Sequence, residues 1–243
     1  MATATINASL QGVVERADTS SSTINWLSTT RDATTGTSAT TITSNTEFNS
    51  MRAQYVLSKG TYASVCVRAF LFFDLSSING TITAATLKVL AGATSNTDDV
   101  QVTPSTAWGG GGSTTTLSTG DYDAVEFQGA SGSNYGQILS WTASSYNDFT
   151  LSSDAISDMN NDGYLNCALL NQDNDYRGIS PSLGTDVVHT IEYNDTSSPI
   201  KVEITYTPGA SWNENLNGVT NSNIAKVNGV AKASILEVNK IQI

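Results

Sequence analysis

The sequence predicts an all-β protein, and three observations point to this class. The 243 residues include 31 Ser, 33 Thr, 21 Asn and 19 Gly, so good helix formers are scarce. Only 14% of the residues are charged, whereas an average soluble domain has about 25%. Short apolar blocks recur with a two-residue period, which is typical of strands with one buried face. The composition excludes a helical bundle, a coiled coil and a doubly wound nucleotide-binding fold.

Short strand candidates alternate with polar turns in the first sixty residues. We expect strands at 4–10, 24–27 and 54–57, where β-branched and large apolar residues recur. Between the last two, residues 28–44 are a long run of Thr, Ser, Ala and Gly. We interpret this run as an exposed loop or a weak edge strand.

The strongest strand candidate covers residues 63–75, ASVCVRAFLFFDL. Alternate positions share a face, and both faces are apolar near residues 70–73, so we expect a central strand that is covered on both sides. Asn79-Gly80 then predicts a tight turn. The next strand, at 82–90, would form a hairpin-like unit with the first.

The remaining elements complete a domain that we expect to span residues 1–208. Four consecutive glycines at 109–112 predict a flexible loop, because nothing nearby in the sequence constrains them. The one helix that we expect lies at 149–159, with Ser152 or Ser153 as its N-cap. Further strands are predicted at 164–170, 187–193 and 200–206.

The tail, residues 209–243, contains an 11-residue repeat. Residues 216–226 align with 227–237, and a third copy begins at 238. The period is compatible with a right-handed helical supercoil, but Asn-Gly at the same place in both full copies favours strand-turn units. So short a repeat cannot bury an apolar face alone, so we expect it to dock on its own domain, on symmetry mates or on a partner protein. The predicted docking and oligomerisation residues are Leu216, Val219, Ile224, Val227, Val230, Ile235, Val238 and Ile241.

The charge balance excludes several partners. The formal net charge is −11 and the basic residues are scattered singly, so neither nucleic acid nor an anionic membrane surface is an expected partner. No apolar run reaches the roughly 20 residues that a membrane span needs. The amino terminus lacks a basic segment followed by an apolar one, so we expect no secretory signal peptide. Cys66 and Cys167 fit no metal-binding spacing, and we expect both to be buried, reduced thiols.

Residues 68–87, RAFLFFDLSSINGTITAATL, resemble the signature of the DNRLRE family. That signature is an Arg, an apolar strand, Phe-Asp-Leu-Ser, a short turn and then Ile-Thr-x-Ala-Thr-Leu. The family comprises jelly-roll domains of archaeal surface proteins and of carbohydrate-binding modules. The resemblance covers about residues 5–207, although the family's Arg-Pro-x-Leu entry into the closing strand is replaced by residues 198–201, SPIK. It implies a jelly-roll β-sandwich of two antiparallel sheets with one short helix, and it makes sugar binding an expected property.

The tail carries a second resemblance, through Lys226-Val-Asn-Gly-Val230. This repeat is similar to carboxy-terminal segments of tailed-bacteriophage structural proteins. It implies a virion component, assembled in the host cytoplasm, that serves as a capsid decoration or head-fibre protein or as a tail or baseplate adhesin. Its partners would be other virion proteins and further copies of itself, with a host-surface glycan as a candidate ligand. The alternatives are a carbohydrate-binding module or cell-surface adhesin that binds polysaccharide, and an inert structural spacer.

No motif in the sequence indicates catalysis, so we expect a non-enzymatic protein. The single histidine, His189, lies in a predicted strand, and no Gly-x-Ser-x-Gly nucleophile motif occurs. Carboxylates are plentiful but follow no catalytic pattern. We interpret His189 as a buried or half-buried strand residue. Arg68 is expected to form a half-buried ion pair with Asp74 or to stack on Phe70.

Two binding sites are predicted without a strict motif. Oxygen-rich loops predict calcium as the one candidate cofactor, with Asp162, Asp173 and Asp175 as ligands. Loop aromatics could instead stack on a sugar or seal the ends of the sandwich. These aromatics are Trp108, Tyr122, Tyr135, Trp141, Tyr146 and Tyr176.

Overall fold

The computed structural model describes residues 1–93, 96–128, 134–193 and 196–209, together with the backbone of 226–227 and 230–231. Within these residues two antiparallel sheets pack face to face. The smaller sheet has the order β1-β12-β6-β9. Its strands are β1 (Ala2–Asn7), β12 (Lys201–Pro208), β6 (Gly80–Leu90) and β9 (Tyr146–Thr150).

The larger sheet is built around β5 (Thr61–Asp74). One edge of β5 pairs with β2 over almost its full length. Its other edge pairs first with β4 and then with β10, so these two strands lie end to end. The sheet continues from β4 to β11 and from β10 to β7 and β8, and β3 pairs with β2. The bounds are β2 (Leu10–Ser20), β3 (Ser38–Thr41), β4 (Thr46–Ser58), β7 (Val100–Pro104), β8 (Gly136–Ile138), β10 (Tyr164–Asn171) and β11 (Thr185–Tyr193).

The connectivity confirms the predicted jelly roll. Eight strands, taken along the chain as β1, β5, β6, β7, β8, β9, β10 and β12, make up its two sheets. If these eight strands are numbered 1 to 8 along the chain, the smaller sheet has the order 1-8-3-6 and this part of the larger sheet has the order 2-7-4-5. This is the strand order of a jelly roll made of two Greek keys. The additional strands β2, β3, β4 and β11 widen the second sheet.

Apolar side chains form two layers, one on each face of the larger sheet. Leu71 and Phe73 of β5 point into the core between the sheets, where they meet Leu87 and Phe149 of the smaller sheet. Phe70 and Cys66 point to the opposite face, into a second apolar cluster. The central strand is therefore covered on both sides, as its sequence predicts.

The predicted helix is confirmed as α1 (Ser153–Asp162). Ser152 is its N-cap, because the side-chain oxygen accepts a hydrogen bond from the Ala155 N–H. The helix ends at Gly163, whose φ of 74° lies in the left-handed region that favours glycine. Phe149 and Thr150, which precede the predicted cap in the segment 149–159, belong to β9.

Residues 24–27 do not form the predicted strand. Trp26–Arg31 is a short π-helical turn, and Asn25 caps it by accepting a hydrogen bond from the Ser28 N–H. The indole of Trp26 is buried, and its N–H donates to the carbonyl of Gln54 at 3.1 Å. Burial of this one large ring against the sheet replaces the strand pairing that the local pattern suggested. The rest of the run at 28–44 includes β3, a short edge strand, as predicted.

The strands at 63–75 and 82–90 do not form a hairpin. They are β5 and β6, which lie in different sheets. Both edges of β5 already have partners, so the chain crosses the sandwich, and it turns at residues 75–78, where the Ile78 N–H donates to the Leu75 carbonyl at 2.8 Å. The tight turn predicted at Asn79-Gly80 is wrong, because Gly80 is already the first residue of β6. Strand β6 instead pairs with β12 and β9.

The glycine run at 109–112 is also more constrained than predicted. The side-chain amide of Asn166 donates to the carbonyls of Ala107 and Gly110, both at 2.7 Å. Gly109, Gly110 and Gly112 all have positive φ angles, which glycine adopts without strain. An amide from strand β10 therefore fixes the turn, although the sequence offers no local sign of it.

Candidate functional site

Three connecting segments cover the outer face of the larger sheet. They comprise residues 21–37, 105–128 and 172–180, and each contributes buried rings to the second apolar cluster. This cover fills the sheet face that would otherwise be open to a ligand. The rings are those of Trp26, Trp108, Tyr122 and Tyr176.

The guanidinium of Arg68 lies at the centre of this cover and has no exposed side-chain surface. Its Nε and Nη2 donate to the two carboxylate oxygens of Asp175, at 2.9 and 2.7 Å. Its Nη1 donates to the carbonyl of Tyr122 at 2.6 Å, and Nη2 also donates to the carbonyl of Arg31 at 2.7 Å. Arg31, Tyr122 and Asp175 belong to the first, second and third covering segment, respectively. One side chain of β5 thus fastens all three segments to the sheet.

The surroundings of Arg68 keep its charge in place. Burial alone would lower the pKa of this guanidinium, but the Asp175 carboxylate outweighs that effect and the net pKa is raised. The guanidinium also stacks on the Tyr122 ring, with 3.9 Å from Cζ to the ring centroid. Arg68 is therefore a buried structural cation with four of its five N–H groups in hydrogen bonds, and it has no exposed surface on which an acidic sugar could bind.

The prediction that Arg68 forms an ion pair with Asp74 is wrong. Six residues of strand separate the two positions, and at about 3.3 Å per residue the distance is roughly 20 Å. Asp74 is exposed at the end of β5 and accepts a hydrogen bond from the Ser76 N–H. Asp175 is 107 residues from Arg68 along the chain, so no local sequence pattern indicates the true pair.

Most of the predicted sugar-stacking aromatics are buried. Tyr135, for example, packs into the main core and donates its hydroxyl to Asp158 at 2.5 Å. Tyr146 alone is half-exposed, and its hydroxyl donates to the carbonyl of Pro199 at 2.9 Å. The structure therefore places this set as seals of the sandwich rather than as an open stacking platform. The buried members are Trp108, Tyr122, Tyr135, Trp141 and Tyr176.

The predicted calcium ligands do not come together around one point. Asp175 is paired with Arg68, exposed Asp173 pairs with Arg177 at 3.0 Å, and exposed Asp162 ends α1. Asp173 does line a cleft of about 480 Å³ with Asp98 and Asp99. In the described parts of the chain, no three His, Cys, Asp or Glu side chains are grouped so as to hold a metal ion. Calcium binding stays a prediction.

His189 and the two cysteines are buried, as predicted. The His189 ring lies beside Trp141, with centroids 5.8 Å apart, and burial lowers its pKa to about 4. Cys66 and Cys167 are free thiols, and burial raises the pKa of each to about 12. Burial keeps all three groups away from solvent, and it keeps the two cysteines as thiols rather than as nucleophilic thiolates.

An aromatic pair that the sequence analysis missed lies near the tip of the β4–β5 hairpin. The rings of Tyr55 and Tyr62 stack with centroids 6.1 Å apart and an interplanar angle of 23°. Both side chains are half-buried, and neighbouring Leu57 is 48% exposed. The two-residue period of β4 and β5 was the available signal, since it places Tyr55, Leu57 and Tyr62 on one face.

The tail is described only at its centre. Lys226–Val227 and Val230–Ala231 form the short strands β13 and β14, which pair antiparallel with Val227 opposite Val230. Asn228 and Gly229, between them, lie outside the described residues, so only the strand pairing of the predicted strand-turn unit is described. Val227 and Val230 are described by their backbone alone. The other predicted docking residues lie outside the described residues: Leu216, Val219, Ile224, Ile235, Val238 and Ile241.

Comparisons with known proteins add no family. No protein-family model matches the chain, and no curated protein matches it significantly. The two resemblances drawn from the sequence therefore stay predictions. Among the described helices, none has the length and apolar character required to cross a membrane.

Proposed function

We propose that this protein is a non-enzymatic structural component of a tailed-phage virion, anchored through residues 209–243 with the β-sandwich exposed. Its place would be that of a capsid decoration or head-fibre protein, or of a tail or baseplate adhesin. The observation that carries the proposal is the antiparallel pairing of Lys226–Val227 with Val230–Ala231 across Asn228-Gly229. The same Asn-Gly recurs one repeat earlier, at 217–218.

The size of this hairpin supports a docking role. An isolated two-stranded hairpin is marginally stable in water and needs further strands or a packing surface. The pairing in the tail involves only two residues on each side, so little of its stability comes from its own hydrogen bonds. A repeat of such units gains stability when its apolar residues are buried on a neighbouring subunit or a partner protein.

The sandwich supports the non-catalytic part of the proposal. Its least accessible ionic groups, Arg68 and Asp175, are fully used in holding the covering segments. The buried histidine and thiols have no exposed surface at which a dissolved substrate could meet them. A net charge of −11 keeps such a projecting domain soluble and separate from nucleic acid.

Truncation after Pro208 tests the anchoring role. The shortened protein should keep its thermal transition but should no longer join the assembled particle or the oligomer of the full chain. Val219→Asp and Val230→Asp place a charge at predicted docking positions and should weaken assembly. Asn221→Asp adds the same charge at a polar repeat position and should not. Assembly of the truncated protein at the level of the full chain would refute the proposal.

The alternative, a carbohydrate-binding module, is favoured by the stacked pair Tyr55 and Tyr62. Partly exposed aromatic rings give sugar rings an apolar face to pack against. A glycan array would test it, with Tyr62→Ala as the loss variant and Phe48→Ala, which removes an exposed ring outside the predicted set, as the control. A glycan that binds the wild type and the control but not Tyr62→Ala would support this role. Absence of any bound glycan would leave the stacked pair as packing.

A further inference from the structure

We propose that the free edge of β1 pairs antiparallel with β1 of a second copy of this chain, so that two smaller sheets join into one across a two-fold axis. The interface is separate from the tail and does not depend on the proposed virion role. It rests on the backbone groups that β1 leaves open, on the residues that it carries and on the contrast with the other sheet edges.

The sheet order leaves one side of β1 without a strand partner among the described residues, because β1 pairs only with β12. The Ala8 N–H donates to the carbonyl of Ile200 at 2.9 Å, in continuation of this ladder. In an antiparallel pair, successive residues point their N–H and C=O groups to alternate sides. The even-numbered residues therefore bond to β12, and Thr3, Thr5 and Asn7 point theirs toward the open edge.

The sequence of β1 lacks the devices that usually protect a sheet edge. Such devices are charged side chains, proline, bulges and very short strands. Residues Ala2–Asn7 read ATATIN, with no charge and no proline, and their register with β12 is regular throughout. This edge can therefore accept a further strand.

The other edges of the sandwich are short, charged or occupied. Strand β3 has four residues and β8 has three. Strand β9, the other edge of the smaller sheet, has five residues and carries the charged Asp148. The long strand β11 is covered by the segment that follows β6, because the N–H groups of Gly92 and Asn96 donate to its carbonyls at Thr190 and Val188. The contrast makes β1 the edge that this fold leaves available over a useful length.

The sequence and hydrogen-bond pattern of β1 fit a second copy as the occupant. Two molecules that each carry −11 repel overall, but β1 itself is neutral, so two β1 strands can pair without placing like charges opposite each other. Pairing centred on Thr5 places Thr5 opposite Thr5 and Thr3 opposite Asn7, and each such pair exchanges both hydrogen bonds. The same register sets Ala4 opposite Ile6 on the inner face. Ile6 is only half-buried against the main core, so the added strand covers it.

The matched variants Thr5→Pro and Thr5→Val test the interface in the full-length protein. Proline at this position removes an N–H that faces away from β12, so the fold keeps its ladder while the edge is blocked. Valine keeps the N–H and the strand propensity. Light scattering should show that wild type and Thr5→Val share one concentration-dependent mass, whereas Thr5→Pro has half of it. Equal melting temperatures for the two variants would show that the fold is intact.

Amide hydrogen exchange gives a second measurement that separates the occupants. The amides of Thr3, Thr5 and Asn7 should exchange fast in dilute monomer and become protected at concentrations where the mass doubles. An unchanged mass in Thr5→Pro would overturn the proposal, and so would a wild type that stays monomeric. Protection of these amides in the monomer would also overturn it, and would identify the chain's own tail as the occupant. Loss of assembly on truncation after Pro208 reports on the tail alone, so the two proposals can fail separately.

Discussion

Arg68 and Asp175 form a bidentate ion pair, at 2.7 and 2.9 Å, in which neither side chain is more than 1% exposed. The pair joins the central strand of the larger sheet to the last of its three covering segments. Because both charges are buried away from water, each charge is stabilised by the other rather than by solvent.

Arg68→Met should destabilise the fold by about 3–5 kcal/mol, since it leaves the Asp175 carboxylate buried and unpaired. Urea denaturation would measure the change in the free energy of unfolding. Arg52→Met is the control, because it breaks an exposed pair with Asp186 at 2.9 Å and should cost less than about 1 kcal/mol. The double variant Arg68→Met/Asp175→Leu should lose less free energy of unfolding than the sum of the losses in the two single variants. If the losses simply add, the two side chains do not stabilise each other.

His189 should make the protein acid-sensitive above the range where carboxylates titrate. Burial lowers its pKa from 6.5 to about 4. Above pH 6.5 the residue is neutral in both states and has no effect. Between pH 6.5 and 4 the unfolded chain takes up a proton that the folded chain excludes, so stability falls as the pH falls, by up to about 3 kcal/mol. Below pH 4 both states are protonated and the loss levels off.

Denaturation curves between pH 7.5 and 4.5 would measure this slope. His189→Leu replaces the ring with a side chain that does not titrate and should show a flatter profile. The difference between the two proteins isolates the histidine from the carboxylates. If the stability of the two proteins varies with pH in the same way, the His189 ring takes up a proton as readily in the folded state as in the unfolded state.

Cys66 and Cys167 should resist thiol reagents until the protein unfolds. Both are buried, and a pKa of about 12 keeps them as thiols at pH 8. The labelling rate should follow the unfolding rate as urea is added. Ser153→Cys, an exposed position on α1, is the control that should label at once in native buffer. Fast native labelling of the wild type would contradict the burial.

Ser152→Ala should lower the free energy of unfolding by about 1 kcal/mol, because it removes the N-cap acceptor of α1. The neighbouring Ser153→Ala leaves the cap intact and should change stability much less. Thermal denaturation of the two variants measures the difference. Equal effects would show that the Ser152 hydroxyl does not cap the helix.

Local patterns predict several elements of this fold correctly. The two-residue period and double-sided apolar character of residues 63–75 identify the central strand of the larger sheet. The polar cap at Ser152 places the helix, and the alternation at 200–206 places the closing strand. Each of these features depends on neighbours a few residues away, which is the range over which propensity and periodicity operate. The strands β7, β8 and β9 were not predicted, and neither were β2 beyond residue 10 and residues 46–53 of β4.

Long-range features required the folded chain. Residues 24–27 do not form the predicted strand, because the Trp26 ring is buried in the second apolar cluster on the outer face of the larger sheet. Five of the six aromatics proposed for sugar stacking are buried, and Tyr146 is half-exposed. The local sequence does not predict this, because a ring in an open loop and a ring that closes a core can have the same neighbours along the chain.

Local sequence by itself therefore determines which residues alternate, which turn and which cap, because backbone propensity and side-chain period act between near neighbours. The tertiary structure alone decides that Arg68 meets Asp175 rather than Asp74. It also decides that β5 and β6 lie in separate sheets and that β1 ends the smaller sheet, with no further strand beside it among the described residues. Which buried charges pair, and which strands become neighbours, depends on segments that are far apart in the sequence. Local patterns therefore do not predict these pairings.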